Sequence, residues 1–209
     1  SYFQSRFFKG RFYKKGLHQK TYTKNLEAKI SKKKIKMAQI KKASESLTVM
    51  TNIVLPNDTN QLRNLFGGEL LARMDRCASI SATRHCERRV VTASVNHVSF
   101  DHPIPEGGIV VMESKVSRAF GTSMEIYVDV WLDDPINHKK TQTNKGIYTF
   151  VAVDEFNRPI PIPAMEPETD LEIERYDAAL RRKELSLILS GRMKPSESVE
   201  LKKLFQEPS

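Results

Sequence analysis

The chain has 209 residues, 39% of them apolar, with 34 Lys and Arg against 25 Asp and Glu and a net charge of +9. That length and apolar content support a real core and exclude disorder throughout. No apolar run approaches the ~20 residues that span a bilayer, and the N-terminal stretch lacks the apolar segment of a secretory signal, so the expectation is a cytoplasmic protein.

The first segment, residues 1–46, carries 14 Lys and Arg and only two acids, Glu27 and Glu45, while the remaining residues carry 20 bases and 23 acids. The basicity therefore belongs to a tail, and a nucleic-acid partner, which would rest on that tail alone, is not expected of the domain. Lys-rich and poor in aliphatic residues, residues 1–46 read as a basic arm, disordered or loosely helical. An interaction arm, an organellar targeting peptide, and sequence upstream of a start at Met37 all fit this composition.

The domain is expected over residues 47–166. "LTVMTNIVLP" from Leu47 is a β-branched run closed by Pro56, and "NDTNQ" after it is a turn. From Gly68, the residues Leu70, Leu71, Met74, Ala78, Ser81 and Ala82 recur at three and four, which predicts one long amphipathic helix to about His85. Cys77 and Cys86 lie too far apart along it to bridge and read as two buried thiols. The period then falls to two. Residues 90–100, 108–117, 122–132 and 141–154 predict four long strands, with neighbours antiparallel. "RPIPIPAMEP" interrupts regular structure, and residues 167–209 predict a C-terminal helical extension ended by Gly191, with a short second helix at 196–205. An early helix followed by long strands is an α+β pattern.

The motifs of several chemistries are missing. There is no GxSxG elbow, no GxGxxG or GxxxxGK[ST] phosphate cradle, and no HExxH or CxxC spacing to recruit His85, Cys86, His97 or His102 to a metal. What stands out is the glycine pair Gly67–Gly68 at the helix start, where the first amide N–H groups lack intrahelical acceptors and are available to an oxyanion. Asp75 follows Gly68 by about two turns, ~10 Å, on nearly the same face. It reads either as an exposed acid paired with Arg73 or Arg76, or as a half-buried carboxylate between Met74 and Ala78 facing a substrate.

"LPNDTN", "NLFGGELLARMD", "RHCERRVVTASVNHVSFDHPI", "FGTSMEIYVDVW" and "FVAVDEFNRPIPIP" run in that order over residues 48–166. Together they resemble the hotdog-fold acyl-CoA thioesterases, in the subgroup of YciA-type and animal cytosolic acyl-CoA hydrolases. The resemblance implies a long central helix wrapped by a curved antiparallel sheet, a homodimer assembled into a trimer of dimers, and hydrolysis of acyl-CoA to a free acid and coenzyme A. It implies Asp75 as general base or attacking carboxylate, Asn64 as a contribution from the opposite subunit, and the amides at Gly67 and Gly68 as the oxyanion site. Coenzyme A enters as part of the substrate, with no further cofactor and no metal. Its phosphates direct attention to Arg84, Arg88, Arg89, Arg118, Gly121, Thr122 and Ser123. The rival implication is a hotdog protein that binds acyl-CoA or a regulatory partner without catalysis. Arg63 stands where many relatives carry Gly, which puts the path of the loop before Asn64 in question.

Overall fold

A computed structural model of the protein describes residues 40–205. The basic arm as far as residue 39 lies outside them. Residues 40–46 do not belong to that arm: Ile40–Lys42 forms strand β1, paired in parallel with β7, Ala164–Glu166, and a 3-10 turn follows over Ala43–Ser46. Ala43 and Ser46 are fully buried. Lys41, only 6% exposed, places its ammonium on the Arg84 carbonyl at 3.1 Å and on Glu87 at 3.0 Å. A buried lysine held by two acceptors avoids the desolvation cost that made this stretch look unfit for packing. The fold therefore already includes Ile40–Ser46, ahead of the expected boundary at Leu47.

The central helix α1 runs over Gly67–Cys86, and its buried residues Leu70, Met74, Cys77, Ala78, Ser81, Ala82 and His85 keep the helical period. It ends where Glu87 turns left-handed and donates its N–H to Thr83 O. Strands β2 (Thr48–Ile53), β3 (Arg89–Phe100), β4 (Ile109–Phe120), β5 (Ser123–Asp134) and β6 (Lys139–Val153) form one antiparallel sheet in the order β2-β4-β5-β6-β3. Only β4-β5-β6 is a meander. β3 leaves its sequence neighbour β4 and pairs instead with β6. Pro103 and Pro105 keep the connection from closing as a tight hairpin, and its eight residues can span up to ~27 Å, well beyond the three strand spacings of ~4.8 Å each.

The period of two sorts the sheet into two faces. Val110, Met112 and Val116 of β4 and Met124, Ile126, Val128 and Val130 of β5 are buried in the core with α1. Beneath that helix, Ser114 is hydrogen-bonded to both Cys77 and Ser81. Gly146 of β6 lets the helix come close: a Cβ there would lie 2.6 Å from the Met74 methyl and 3.3 Å from the Tyr148 ring.

The opposite face receives the C-terminal extension. Helix α2, Asp170–Leu189, opens with a capping box in which the Glu172 N–H donates to Thr169 Oγ1 and the Thr169 N–H to the Glu172 carboxylate. It docks by charge: Arg175 forms two bonds to Asp129 while its guanidinium lies 3.7 Å over Tyr127, and Arg182 forms two bonds to Glu125. The extension therefore lies across the outside of the sheet and does not cover α1 in its own protomer. Beyond Gly191 the expected second helix is reduced to a 3-10 turn, Pro195–Glu197, and the single turn α3, Glu200–Lys203.

His85 fastens the far end of α1. It is fully buried, and its Nε2 donates to Pro163 O at 2.9 Å, whereas Nδ1 has no partner. Burial, reinforced by the Lys41 charge and opposed by the Pro163 bond, holds its pKa below the ordinary 6.5. As pH falls below about 6.5 the unfolded chain takes up a proton that the folded one refuses, so stability declines from there down to the folded-state value. His85→Gln, which keeps a donor for Pro163, is expected to flatten that decline, measured as the denaturation midpoint at pH 7, 6 and 5. An unchanged slope would remove His85 as its source.

Candidate active site

Asp75 projects from the fourth position after Leu71 on the face of α1 that meets β6 and β3. Its half-buried carboxylate accepts a hydrogen bond from Thr92 Oγ1 of β3 at 2.9 Å. Neither expected arginine takes it. Arg73 is bound to Asp58 at 2.7 Å and Glu69 at 2.9 Å, and Arg76 approaches Glu69. Tyr148, fully buried beneath the same turn, donates to Leu71 O at 3.2 Å. Burial, and then the negative charge of Asp75, push the Tyr148 phenol pKa upward, so it stays a neutral donor. One oxygen of Asp75 is thus committed to Thr92 while the other remains available to accept a proton.

The helix start is built by the preceding loop. α1 has no side-chain cap, and its first intrahelical bond is Leu70 N–H to Phe66 O, so the amides of Gly67, Gly68 and Glu69 lack intrahelical acceptors. Exposed aromatic rings flank the pair. A Cβ on Gly68 would lie 2.8 Å from the Phe66 ring, and one on Gly67 would lie 3.4 Å from the Phe100 ring. Glycine keeps the approach to these amides open between the two rings.

Arg63 answers the question raised by its replacing glycine. It adopts φ +58°, the left-handed conformation glycine would take freely. Its guanidinium grips Glu106 through two bonds, at 2.9 and 3.2 Å, and its carbonyl accepts the Glu106 N–H at 3.0 Å. Those contacts offset the backbone cost and hold the loop in the turn.

The same loop fixes two asparagines differently. Asn64 is half-buried, bridges to Pro105 and accepts the Asn60 N–H on its carbonyl at 2.8 Å. Asn60 is exposed, and its Oδ1 accepts the N–H groups of Leu62 at 2.9 Å and Asn64 at 3.2 Å. With Oδ1 taken by these two N–H groups, the Nδ2 amide of Asn60 has no partner among the described residues and is left as a donor. Sequence reading placed Asn60 in a turn and missed this. The signal was an Asx residue two positions before Leu62 and four before Asn64.

Of the expected phosphate contacts, Arg84 donates to Leu47 O, Arg88 to Glu87 O, and Arg89 is exposed. Arg118 is stacked 3.9 Å over the Tyr176 ring of α2. Gly121 (φ +74°), Thr122 and Ser123 form the β4–β5 turn. A cleft of about 370 Å³ lined by Tyr127, Trp131, Gln142 and Leu171 lies on the outer face, away from the carboxylate. Among the described residues no group of three His, Cys, Asp or Glu side chains is placed to hold a metal, and no helix is long and apolar enough to cross a membrane.

The sequence pattern of the thioesterase superfamily matches residues 62–137. An uncharacterized acyl-CoA thioester hydrolase of Bacillus subtilis, YkhA, is 41% identical over 138 residues, which are 66% of this chain and 80% of YkhA. The chain belongs to the acyl-CoA thioester hydrolases of that superfamily. Its fold is that of the hotdog hydrolases. An acyl-CoA hydrolase from Staphylococcus aureus, solved with butyryl coenzyme A and coenzyme A, superposes with a TM-score of 0.70 at 35% identity, over 80% of this chain and 100% of that one. An apo-hexameric acyl-CoA thioesterase gives 0.67 at 39% identity, over 69% and 94%. Alanine variants of the Staphylococcus aureus enzyme have been solved at an aspartate, at a threonine seventeen residues after it, and at an asparagine fifteen residues before it. Counted from Asp75, the same spacings lead to Thr92 and to Asn60.

Proposed function

We propose that the protein hydrolyses acyl-coenzyme A with Asp75 as general base, at a site completed by a second copy of the chain. Water held by the free oxygen of Asp75 attacks the thioester carbon. The carboxylate takes the proton, the developing oxyanion is met by helix-start amides, and the thiolate leaves as coenzyme A. The observation that carries this reading is the Asp75 carboxylate held by Thr92 within a fold of this family.

Distance supports the sharing. Asp75 lies seven residues beyond Gly68, ~10 Å along a rigid helix, too far for both to touch one thioester carbonyl. A second protomer presenting its Gly68 amide and its Asn60 amide to Asp75 removes that conflict. β3 offers the surface for it: a twelve-residue edge strand with Val91, Val95 and Phe100 exposed. The donor role in this arrangement falls to Asn60, whose Nδ2 has no partner among the described residues, rather than to Asn64.

Thiol release from acyl-CoA by the wild-type protein tests the activity, and its absence across short, medium and long chains would end the proposal. Subunit mixing tests the shared site. Asp75→Asn and Asn60→Ala proteins, each inactive alone, are expected to recover about a quarter of wild-type activity after co-refolding in equal amounts, because half the dimers are mixed and one of their two sites is intact. No recovery would place both residues in one protomer's site.

A further inference from the structure

Beyond α2 the described chain forms a hook that is fastened by polar bonds rather than by burial. At the helix end the chain turns back, with the Gly191 N–H donating to Ile188 O and the Arg192 and Met193 N–H groups to Leu187 O. It returns past the 3-10 turn Pro195–Glu197 to Glu184, whose carboxylate accepts the N–H groups of Val199 at 3.2 Å, Glu200 at 3.2 Å and Leu201 at 2.7 Å. These amides stand at the start of α3, so the buried carboxylate of Glu184 fixes that single turn without calling on its apolar side chains.

Those side chains are left in water. Leu189 is 79% exposed, Val199 64%, Leu204 59% and Phe205 82%. A single exposed leucine needs no explanation, but four large apolar side chains between residues 189 and 205, on one folded-back segment, mark a contact surface. The same segment carries Arg192, Lys194, Lys202 and Lys203, all exposed, against Glu197 and Glu200. Both acids are engaged within the hook, Glu200 by the Lys203 ammonium at 2.6 Å and Glu197 by the Lys194 N–H at 2.9 Å.

The bases decide what covers such a surface. The core of a protein interface is depleted of lysine, whereas each exposed apolar residue of the hook has a base within three positions of it. Lysine and arginine lay their stems along apolar surface while their charges reach outward, which suits the boundary between hydrocarbon and phosphate. We infer that the hook is a membrane-surface contact that docks the protein on anionic lipid, with Leu189, Val199, Leu204 and Phe205 entering the headgroup boundary and Lys194, Lys202 and Lys203 meeting the phosphates. The contact is peripheral, since no helix among the described residues is long and apolar enough to cross a membrane. It also leaves Asp75 free: the hook hangs on α2, which Arg182 and Arg175 hold to the outer face of the sheet, whereas α1 packs on the other.

Flotation of the full chain with phosphatidylcholine vesicles, with and without phosphatidylserine, tests this. Wild type is expected to float with the anionic vesicles. Leu204→Ser/Phe205→Ser should weaken that partition by at least about tenfold, because both side chains give up their burial among the lipids. Lys202→Gln and Lys203→Gln should each weaken it about fivefold, and only on anionic vesicles. The lysine-rich residues ahead of Ile40 attract anionic lipid as well, but that attraction does not depend on Leu204 or Phe205, so the apolar double variant isolates the hook. Equal flotation of wild type and this double variant would overturn the inference, as would no flotation of wild type. A double variant that sediments as a smaller oligomer than wild type without vesicles would also overturn it, since another copy of the chain would then be what covers the surface.

Discussion

Replacing Asp75 by asparagine is expected to lower kcat by roughly 10² to 10⁴-fold while leaving KM for acyl-CoA within about threefold. The substitution is nearly isosteric. The Thr92 hydroxyl, which donates to Asp75 Oδ1 at 2.9 Å, can donate equally to an amide oxygen, so the side chain keeps its place between α1 and β3. What disappears is the ability to accept a proton from water. Thr92→Val should be milder, about tenfold, because it frees the carboxylate to rotate without removing the base. Thiol release measured over a range of substrate concentrations separates the two effects. Unaltered turnover in the asparagine variant would dismiss Asp75 as the base and leave the family assignment standing.

Tyr148 sharpens that expectation. It sits beneath the turn that carries Asp75, yet its hydroxyl is occupied by Leu71 O. Leu71 O also accepts the Asp75 N–H in the regular helical pattern, so the phenol secures the backbone from which the carboxylate projects. Asp75 is positioned from two directions, by Tyr148 through the backbone and by Thr92 through the side chain.

Periodicity made the scaffold readable before any coordinates. The switch from a period of 3.6 over Leu70–Ala82 to a period of two after Val90 located the helix and all four long strands, because both faces of each element answer to burial. It did not reveal β1, which is three residues long and stabilised by Lys41 reaching acceptors more than forty positions away. Nor did it reveal the docking of α2. That helix packs through Arg175 and Arg182 onto Asp129 and Glu125, so the residues that fix it are charged and carry no apolar stripe. At the site, the spacing of Asp75 left an arginine-paired and a half-buried reading open, and its half-buried place on Thr92 agrees with the second. The bonding of Asn60 was not legible, because it depends on which of its amide atoms the loop consumes. Arg63 was legible as an anomaly, but its remedy, Glu106, is supplied from another loop.

Arg73 carries the largest expected effect on stability, and its role could not be read from its neighbours in sequence. Its side chain is 9% exposed and joins Asp58, itself 12% exposed, at 2.7 Å to Glu69 at 2.9 Å. Asp58 in turn accepts the Leu55 N–H at 2.8 Å and gives its carbonyl to the Phe66 N–H, so a single guanidinium ties the loop bearing Asn60 to the helix bearing Gly68 and Asp75. Arg73→Met fills the volume but removes the cation between the Asp58 and Glu69 carboxylates, leaving only Arg76, 3.8 Å from Glu69. Removing one partner of so enclosed a pair is expected to lower the thermal midpoint by roughly 6–12 °C, and to reduce turnover by misplacing the helix start. The Leu55 amide first, and then Arg73, hold the Asp58 pKa below the ordinary carboxylate range. A depressed folded-state value stabilises the protein above the unfolded pKa of about 4, and that contribution is lost as pH falls through the folded value. The Arg73→Met protein should therefore show a smaller loss of midpoint between pH 5 and pH 3 than wild type, since part of the acid-sensitive stabilisation is already gone. Thermal melts of both proteins across that interval decide the matter. A midpoint within about 2 °C of wild type at pH 7 would mean that the loop is held to the helix by packing alone, with Leu65 and Val54 carrying the junction.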